Sequence, residues 1–163
     1  MSDRQFKKFP GHFDPADPEF DLFSSPFYLI AHADYTYHDD LDKAIAKHGV
    51  DRTRYRLLTI LMRTGPINIR DLSSLGLVKR STVSRAVERM RKEGWVTLNL
   101  DENDNRHTNV ELTQAGRDLA KKVMRLGSRQ WQRSVEGLDQ EHLEQLVSLL
   151  KHLVGNLSKL PIE

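Results

Sequence analysis

The sequence predicts a mainly α-helical fold, with long helices at both ends and a small β-wing of two to three strands. Apolar residues recur at helical spacing through most of the chain after Ser25. Two short helical stretches meet at a tight Gly-containing turn, and "WVTLNL" and "TNVEL" alternate as half-buried strands do. With 163 residues, 38% hydrophobic and 29% charged, the chain fits one globular core with a helical appendage. Cysteine is absent, which excludes disulfides, thiolate nucleophiles and Cys-type zinc sites. No run approaches the roughly 18 apolar residues of a membrane span, and the N-terminus lacks the apolar stretch of a secretory signal. A cytoplasmic protein with no membrane partner is therefore expected.

Residues 1–24 are irregular. Four of the six prolines fall in the first 26 residues and all six phenylalanines in the first 27. Such a stretch cannot hold a long helix, yet Phe6, Phe9, Phe13, Phe20 and Phe23 are too apolar for an ordinary disordered tail. The expectation is an arm whose rings anchor on an apolar surface, that of a partner subunit being one choice. A first helix, within residues 25–49, should start with Ser25 as its cap and Pro26 at the first helical position, and stop at Gly49. Its apolar stripe is Phe27, Ile30, Ala31, His38, Leu41 and Ile45. A second helix follows Asp51, with Tyr55, Leu58, Leu61 and Met62 on one face, and ends at "TGP".

A compact pair comes next. "NIRDLSSLG" reads as a short helix with Ile69 and Leu72 inward, ended by Gly76; "KRSTVSRAVERMRKEG" reads as a longer one ended by Gly94. Val83, Val87 and Met90 recur at i, i+4 and i+7 and hold the longer helix to its domain, leaving Ser81, Thr82, Ser84, Arg85, Glu88 and Arg89 outward. Two short helices about a tight turn form a helix-turn-helix, whose second helix can enter a DNA major groove. Charge supports that reading. Between Lys79 and Lys92 there are six basic residues against one acid in a chain whose net charge is only +2, and eight acids without Lys or Arg lie between Asp14 and Asp42. A segregated basic face suits a polyanion; a merely solvated polar face is the alternative. The two strands are separated by "DENDNRH", where Arg106 is the single Lys or Arg. After a helix-turn-helix, such a hairpin is a wing, and an arginine at its tip can insert into a minor groove.

Thr113 should cap a long helix carrying Leu119, Val123 and Leu126, which extends to about Val135. A final helix places Leu143, Leu146, Leu150, Leu153, Leu157 and Leu160 at alternating steps of three and four, with Val147 and Val154 beside them. A seam of that length must bury itself against other helices, and a second copy of the chain is the obvious partner. The expected organisation is an arm at 1–24, a dimerisation helix at 25–49, a winged helix at 50–113 and C-terminal dimerisation helices at 114–163.

Taken in order and spacing, "STVSRAVERMRKEGWV", the wing "DENDNRH" and "LTQAGRDL" resemble the MarR family of winged-helix transcriptional regulators. Family members often carry two basic residues at the wing tip, whereas here Asp104 is followed by Asn105 and then Arg106. The resemblance implies a homodimeric repressor that sets one recognition helix per subunit in successive major grooves of double-stranded DNA, with the wings at the flanking minor grooves. Ser81, Thr82 and Ser84 are short hydroxyl side chains near a helix N-terminus, able to approach phosphates or base edges. Arg85 suits base reading, because a guanidinium pairs with guanine O6 and N7, while Lys79, Arg80 and Arg89 suit phosphate. The resemblance also implies release by a small aromatic or phenolic acid bound between the dimerisation helices and the winged helix. Tyr28, His32, Tyr35 and His38 would supply aromatic walls, and Arg54 and Arg56 a base for a carboxylate.

Two rival readings share the fold. His38 and Asp42, at i and i+4, could start a zinc site in a metal-responsive regulator, although no metal or other cofactor is expected from two ligands. A winged helix can also serve as a protein-interaction module without DNA, but that use favours apolar or mixed residues where this chain has Lys79, Arg80, Arg85, Arg89 and Arg106. No Gly-rich phosphate loop, Ser/His/Asp elbow or metal-hydrolase motif is present, so no enzyme is expected.

Overall fold

A computed structural model describes residues 11–100 and 108–159. Phe6, Phe9, Leu160 and the wing connector with Arg106 lie outside the described residues. Among the described residues the order is α1 (Pro26–Ala46), α2 (Arg52–Thr64), β1 (Ile67–Asn68), α3 (Ile69–Gly76), α4 (Arg80–Lys92), β2 (Val96–Leu100), β3 (Thr108–Leu112), α5 (Gln114–Ser134) and α6 (Gln140–Lys159). Single 3₁₀ turns at Gly11–Phe13 and Leu22–Ser24 precede α1. The strands form one antiparallel sheet in the order β1-β3-β2. In its register Ile67 and Leu98 both face Val110, and Val96 faces Leu112.

Local chemistry explains most helix starts. Asp51 Oδ1 accepts the Arg54 N–H at 2.8 Å, Asn68 Oδ1 that of Asp71 at 2.9 Å, and Thr113 Oγ1 that of Gly116 at 3.0 Å. Ser25 departs from its expected role. It occupies the cap position of α1 but makes no side-chain capping bond and is only 9% exposed. Asp21 caps the preceding 3₁₀ turn instead, accepting the Phe23 N–H at 3.0 Å and the Ser24 hydroxyl at 2.5 Å.

One core joins five helices and the sheet. Leu41 and Ile45 from α1, Leu57, Leu58 and Leu61 from α2, Leu72 from α3, and Val83, Val87 and Met90 from α4 are each at most 3% exposed. Val96, Val110 and Leu112 close it from the sheet, and Ala120 and Val123 from α5. Each large side chain so buried contributes roughly 1.5 to 3 kcal/mol relative to exposure. On α2 the innermost residues are Leu57, Leu58 and Leu61, with Tyr55 and Met62 only partly buried. On α5 the fully buried stripe is Gly116, Ala120, Val123 and Gly127, with Leu119 and Leu126 at its margin. Small residues are required there: a Cβ on Gly116 would lie 1.9 Å from the Trp95 carbonyl oxygen, and one on Gly127 2.0 Å from the Tyr55 hydroxyl. The tyrosines at this junction are partly buried, which pushes the phenols of Tyr37 and Tyr55 up from their ordinary range.

Other expected apolar faces stay open. Only Val96 of β2 is buried, while Leu98 and Leu100 are exposed. The first half of α1 exposes Phe27, Leu29 and Ile30. Two compact units divide the chain, one ending at Gln130 and the other beginning at Trp131. In the second unit α6 buries no residue at all.

Candidate nucleic-acid interface

α4 has two faces with opposite fates. Val83, Ala86, Val87 and Met90 point into the core. Lys79, Arg80, Ser81, Thr82, Arg85 and Arg89 are exposed, and Ser84 and Glu88 are half-exposed. The turn leading into α4 also departs from expectation. Gly76 remains helical and buried, and Leu77 takes the left-handed conformation, φ 51°, with its N–H bonded to the Ser74 carbonyl at 3.2 Å. The Arg56 guanidinium holds the same corner by donating to the Gly76 carbonyl at 3.0 Å.

Hydrogen bonds sort the cations of the stripe. Arg91 forms a two-pronged pair with Glu88, both contacts at 2.9 Å. That bond holds the Glu88 carboxyl below its ordinary range and raises Arg91, so this charge is internally neutralised. Lys79, Arg80, Arg85 and Arg89 have no ion pair among the described residues. Arg85 Nε donates to the Ser81 carbonyl at 3.2 Å, which orients the guanidinium and leaves its terminal nitrogens outward. The Ser84 hydroxyl turns back to the Arg80 carbonyl at 3.0 Å. No side chain caps α4; the Thr82 N–H turns back to the Lys79 carbonyl at 2.9 Å, and the positive end of the dipole favours an anion.

Two clefts flank the helix. One of about 450 Å³ is bounded by Asn68, Arg70, Asp71, Arg80, Ser84 and Thr108; another of about 230 Å³ is bounded by Asp51, Thr53, Arg54, Thr82, Arg85 and Arg89. Arg70 and Thr53 escaped the sequence reading. Arg70 opens the helix before the basic stripe, and only the packing of α3 on α4 brings it beside Arg80.

The residues considered for a small ligand have separate partners. Tyr28 packs with Phe23, ring centroids 5.5 Å apart, and with His32 at 5.8 Å. His38 Nδ1 lies 2.9 Å from the Asp34 carbonyl and 3.1 Å from its carboxylate. Tyr35 is 67% exposed. Arg54 is committed elsewhere: it pairs with Asp51 at 2.9 Å and with Glu93 at 3.1 Å, and its guanidinium lies over the Trp95 ring at 5.3 Å. Arg54 therefore ties α2 to the end of α4, and Arg56 ties it to α3. For zinc, Asp42 is paired with Arg52 at 2.7 Å, and no group of three His, Cys, Asp or Glu that could hold a metal occurs among the described residues.

A helix-turn-helix with an open, cationic second helix and an adjoining antiparallel hairpin defines a winged-helix, DNA-binding transcriptional regulator. The comparisons agree. The MarR family model matches residues 48–107. The chain is 30% identical over 154 residues to the HTH-type transcriptional repressor IacR of Pseudomonas putida, covering 94% of this chain and 92% of that protein. Among solved structures, a MarR-family transcriptional regulator from Silicibacter pomeroyi superposes with a TM-score of 0.76 at 23% identity, over 88% of this chain and 94% of that one. BpsR of Bordetella bronchiseptica, whose DNA binding is regulated by 6-hydroxynicotinic acid, superposes with a TM-score of 0.73 at 19% identity, over 83% and 96%. The chain belongs to the MarR family.

Proposed function

We propose that this regulator is a homodimeric repressor that sets one α4 per subunit in successive major grooves of a near-palindromic operator and leaves DNA when a small aromatic-acid-like ligand binds. The observation that carries the DNA contact is the division of α4: four side chains hold it to the core while Lys79, Arg80, Arg85 and Arg89 stand outward without internal counter-charges among the described residues. In this reading Arg85 reads a base edge. Lys79, Arg80 and Arg89 neutralise phosphates, and Ser81, Thr82 and Ser84 approach the backbone beside the uncapped helix N-terminus. Arg70, across the cleft from Ser84, adds a phosphate contact, and Arg106 serves the wing in the minor groove.

Dimerisation is supported by the apolar surface left over. Leu146, Val147, Val154 and Leu157 on α6 are 48 to 64% exposed, and Phe27 on α1 is 57% exposed. Patches of that kind mark protein contacts. Repression and ligand release are supported by likeness to IacR, a repressor, and to BpsR, which answers to an aromatic acid.

A nuclease footprint on the DNA upstream of the protein's own reading frame tests the proposal. Two protected half-sites about 10 base pairs apart, related by a two-fold axis, are expected. Protection without two-fold symmetry rejects the dimer, and a reporter silenced by loss of the protein rejects repression.

A further inference from the structure

We infer that Arg54 and Arg91 are positioning residues for DNA binding: by holding the carboxylates of Glu93 and Glu88, they leave Arg89 and Arg85 without counter-charges. The inference rests on the DNA-contact reading above for its consequence, and neither positioning residue need touch DNA.

Helical spacing gives each of the two outward arginines a carboxylate neighbour. Glu88 lies three residues after Arg85 and Glu93 four after Arg89, the two separations at which side chains on a helix meet. Glu93 is the C-cap of α4 and keeps the αR conformation, so it stays in helical phase. Left to α4 alone, both pairs would form and neutralise the cations that suit DNA. Neither pair is made. Glu88 accepts a two-pronged bond from Arg91, both contacts at 2.9 Å, and lies 3.9 Å from Lys92 Nζ. Arg54 Nη1 donates to both Glu93 oxygens at 3.1 Å. Arg85 and Arg89 have no ion pair among the described residues.

The competition goes this way for physical reasons. The Arg54 guanidinium is fixed before it meets Glu93: Asp51 holds its Nε at 2.9 Å, the Trp95 ring lies 5.3 Å away, and the side chain is only 14% exposed. A pair between Glu93 and Arg89 would instead have to order an exposed, mobile guanidinium. The same Arg54 answers Asp51, which bounds one cleft with Thr82, Arg85 and Arg89. Arg91 wins Glu88 by its planar fork, while Arg85 turns the other way and donates to the Ser81 carbonyl. The acids nearest the contact face are thus held by cations outside the contact set.

Gel-shift titration of the full-length protein on a duplex spanning the footprint described above tests the inference as two double-mutant cycles, Arg54→Gln with Glu93→Gln and Arg91→Gln with Glu88→Gln. Each arginine variant is expected to weaken binding about tenfold, as loss of one charge-assisted contact does, and to lower the salt dependence by about one ion. Each glutamate variant alone should change affinity by less than about twofold, and should restore both affinity and salt dependence when added to its arginine partner. Arginine variants that bind like the wild type, or a glutamate effect of equal size in both backgrounds, overturn the inference. Arg54→Gln that melts lower and recovers nothing with Glu93→Gln marks a structural tie only, which also overturns it; Arg91, at the surface, gives the same reading without that risk to folding. The Nε–H resonances of Arg85 and Arg89 in the DNA-free protein separate the pairing from the DNA reading. A shift of the Arg89 signal in Arg54→Gln, reversed by Glu93→Gln, upholds the pairing, and a wild type that shows it yet shifts no duplex rejects the DNA-contact reading instead.

Discussion

α4 and α6 are both amphipathic helices, and the chain treats them in opposite ways. α4 sends Val83, Val87 and Met90 to at most 1% exposure, whereas α6 buries nothing and leaves Val154 and Leu157 more than 60% exposed. The difference lies in what surrounds them. α2, α3 and the sheet close over the apolar side of α4, within a core that α1 and α5 complete. α6 stands in a separate unit and leaves Leu146, Val147, Val154 and Leu157 exposed. An apolar stripe states that a face must be covered; it does not state by what. One helix is thus seated in a finished core, and the other keeps an apolar face that nothing covers among the described residues.

The largest effect expected from breaking this comparison comes from α6. Leu150→Asp with Leu153→Asp should convert the proposed dimer to monomer in sedimentation and lower operator affinity by about 10²- to 10⁴-fold, because two linked half-sites become one. The winged-helix core should keep its helical circular dichroism. A variant that stays dimeric removes α6 from the interface. Next comes the covered side of α4: Met90→Ala should cost about 2 to 5 kcal/mol in denaturant unfolding, since Met90 is fully buried. A loss under 1 kcal/mol means that the site collapses around the gap. On the open side of the same helix, Arg85→Ala should cost about 1 to 3 kcal/mol and relax preference at one base position. Lys79→Ala should weaken every sequence alike and flatten the salt dependence by about one ion. Equal effects of the two changes across a set of operators reject the division of roles. The smallest effect concerns the turn before α4. Left-handed backbone costs Leu77 roughly 1 to 2 kcal/mol, and glycine returns about 0.5 to 1 of that as chain entropy. Leu77→Gly should therefore stabilise the protein by less than about 1 kcal/mol, read as a small rise in melting temperature.

Much of the fold was legible in the sequence because its signals are local. Asp51 and Thr113 cap the helices they precede, and Val83, Val87 and Met90 form a stripe recognisable within eleven residues. Ser25 takes the cap position of α1 as expected but makes no side-chain bond there, and Asp21 caps the 3₁₀ turn before it. A third strand was within the expected two to three, but its place could not be read, because the two-residue β1 exists only through its pairing with β3. Leu77 was missed because glycine is the ordinary left-handed residue, and the neighbouring Gly76 drew the expectation.

Site residues divide in the same way. The outward set on α4 follows from helical phase, so Lys79, Arg80, Arg85 and Arg89 could be named from the chain alone. Arg54 could not be judged so, since one of its partners, Glu93, lies 39 residues away and its aromatic neighbour is Trp95. Arg91 lies in the same basic stripe as Arg89 yet is neutralised by Glu88.

By itself the sequence determined where helices and strands lie and which face of each is apolar or charged, because periodicity and capping act over a few residues. Only the tertiary structure decided which apolar faces are covered, which cations are spent on internal carboxylates, and that Arg54 of α2 holds Glu93 at the end of α4. Coverage and charge pairing are contacts between distant segments, and a residue's own neighbours in the chain carry no record of them.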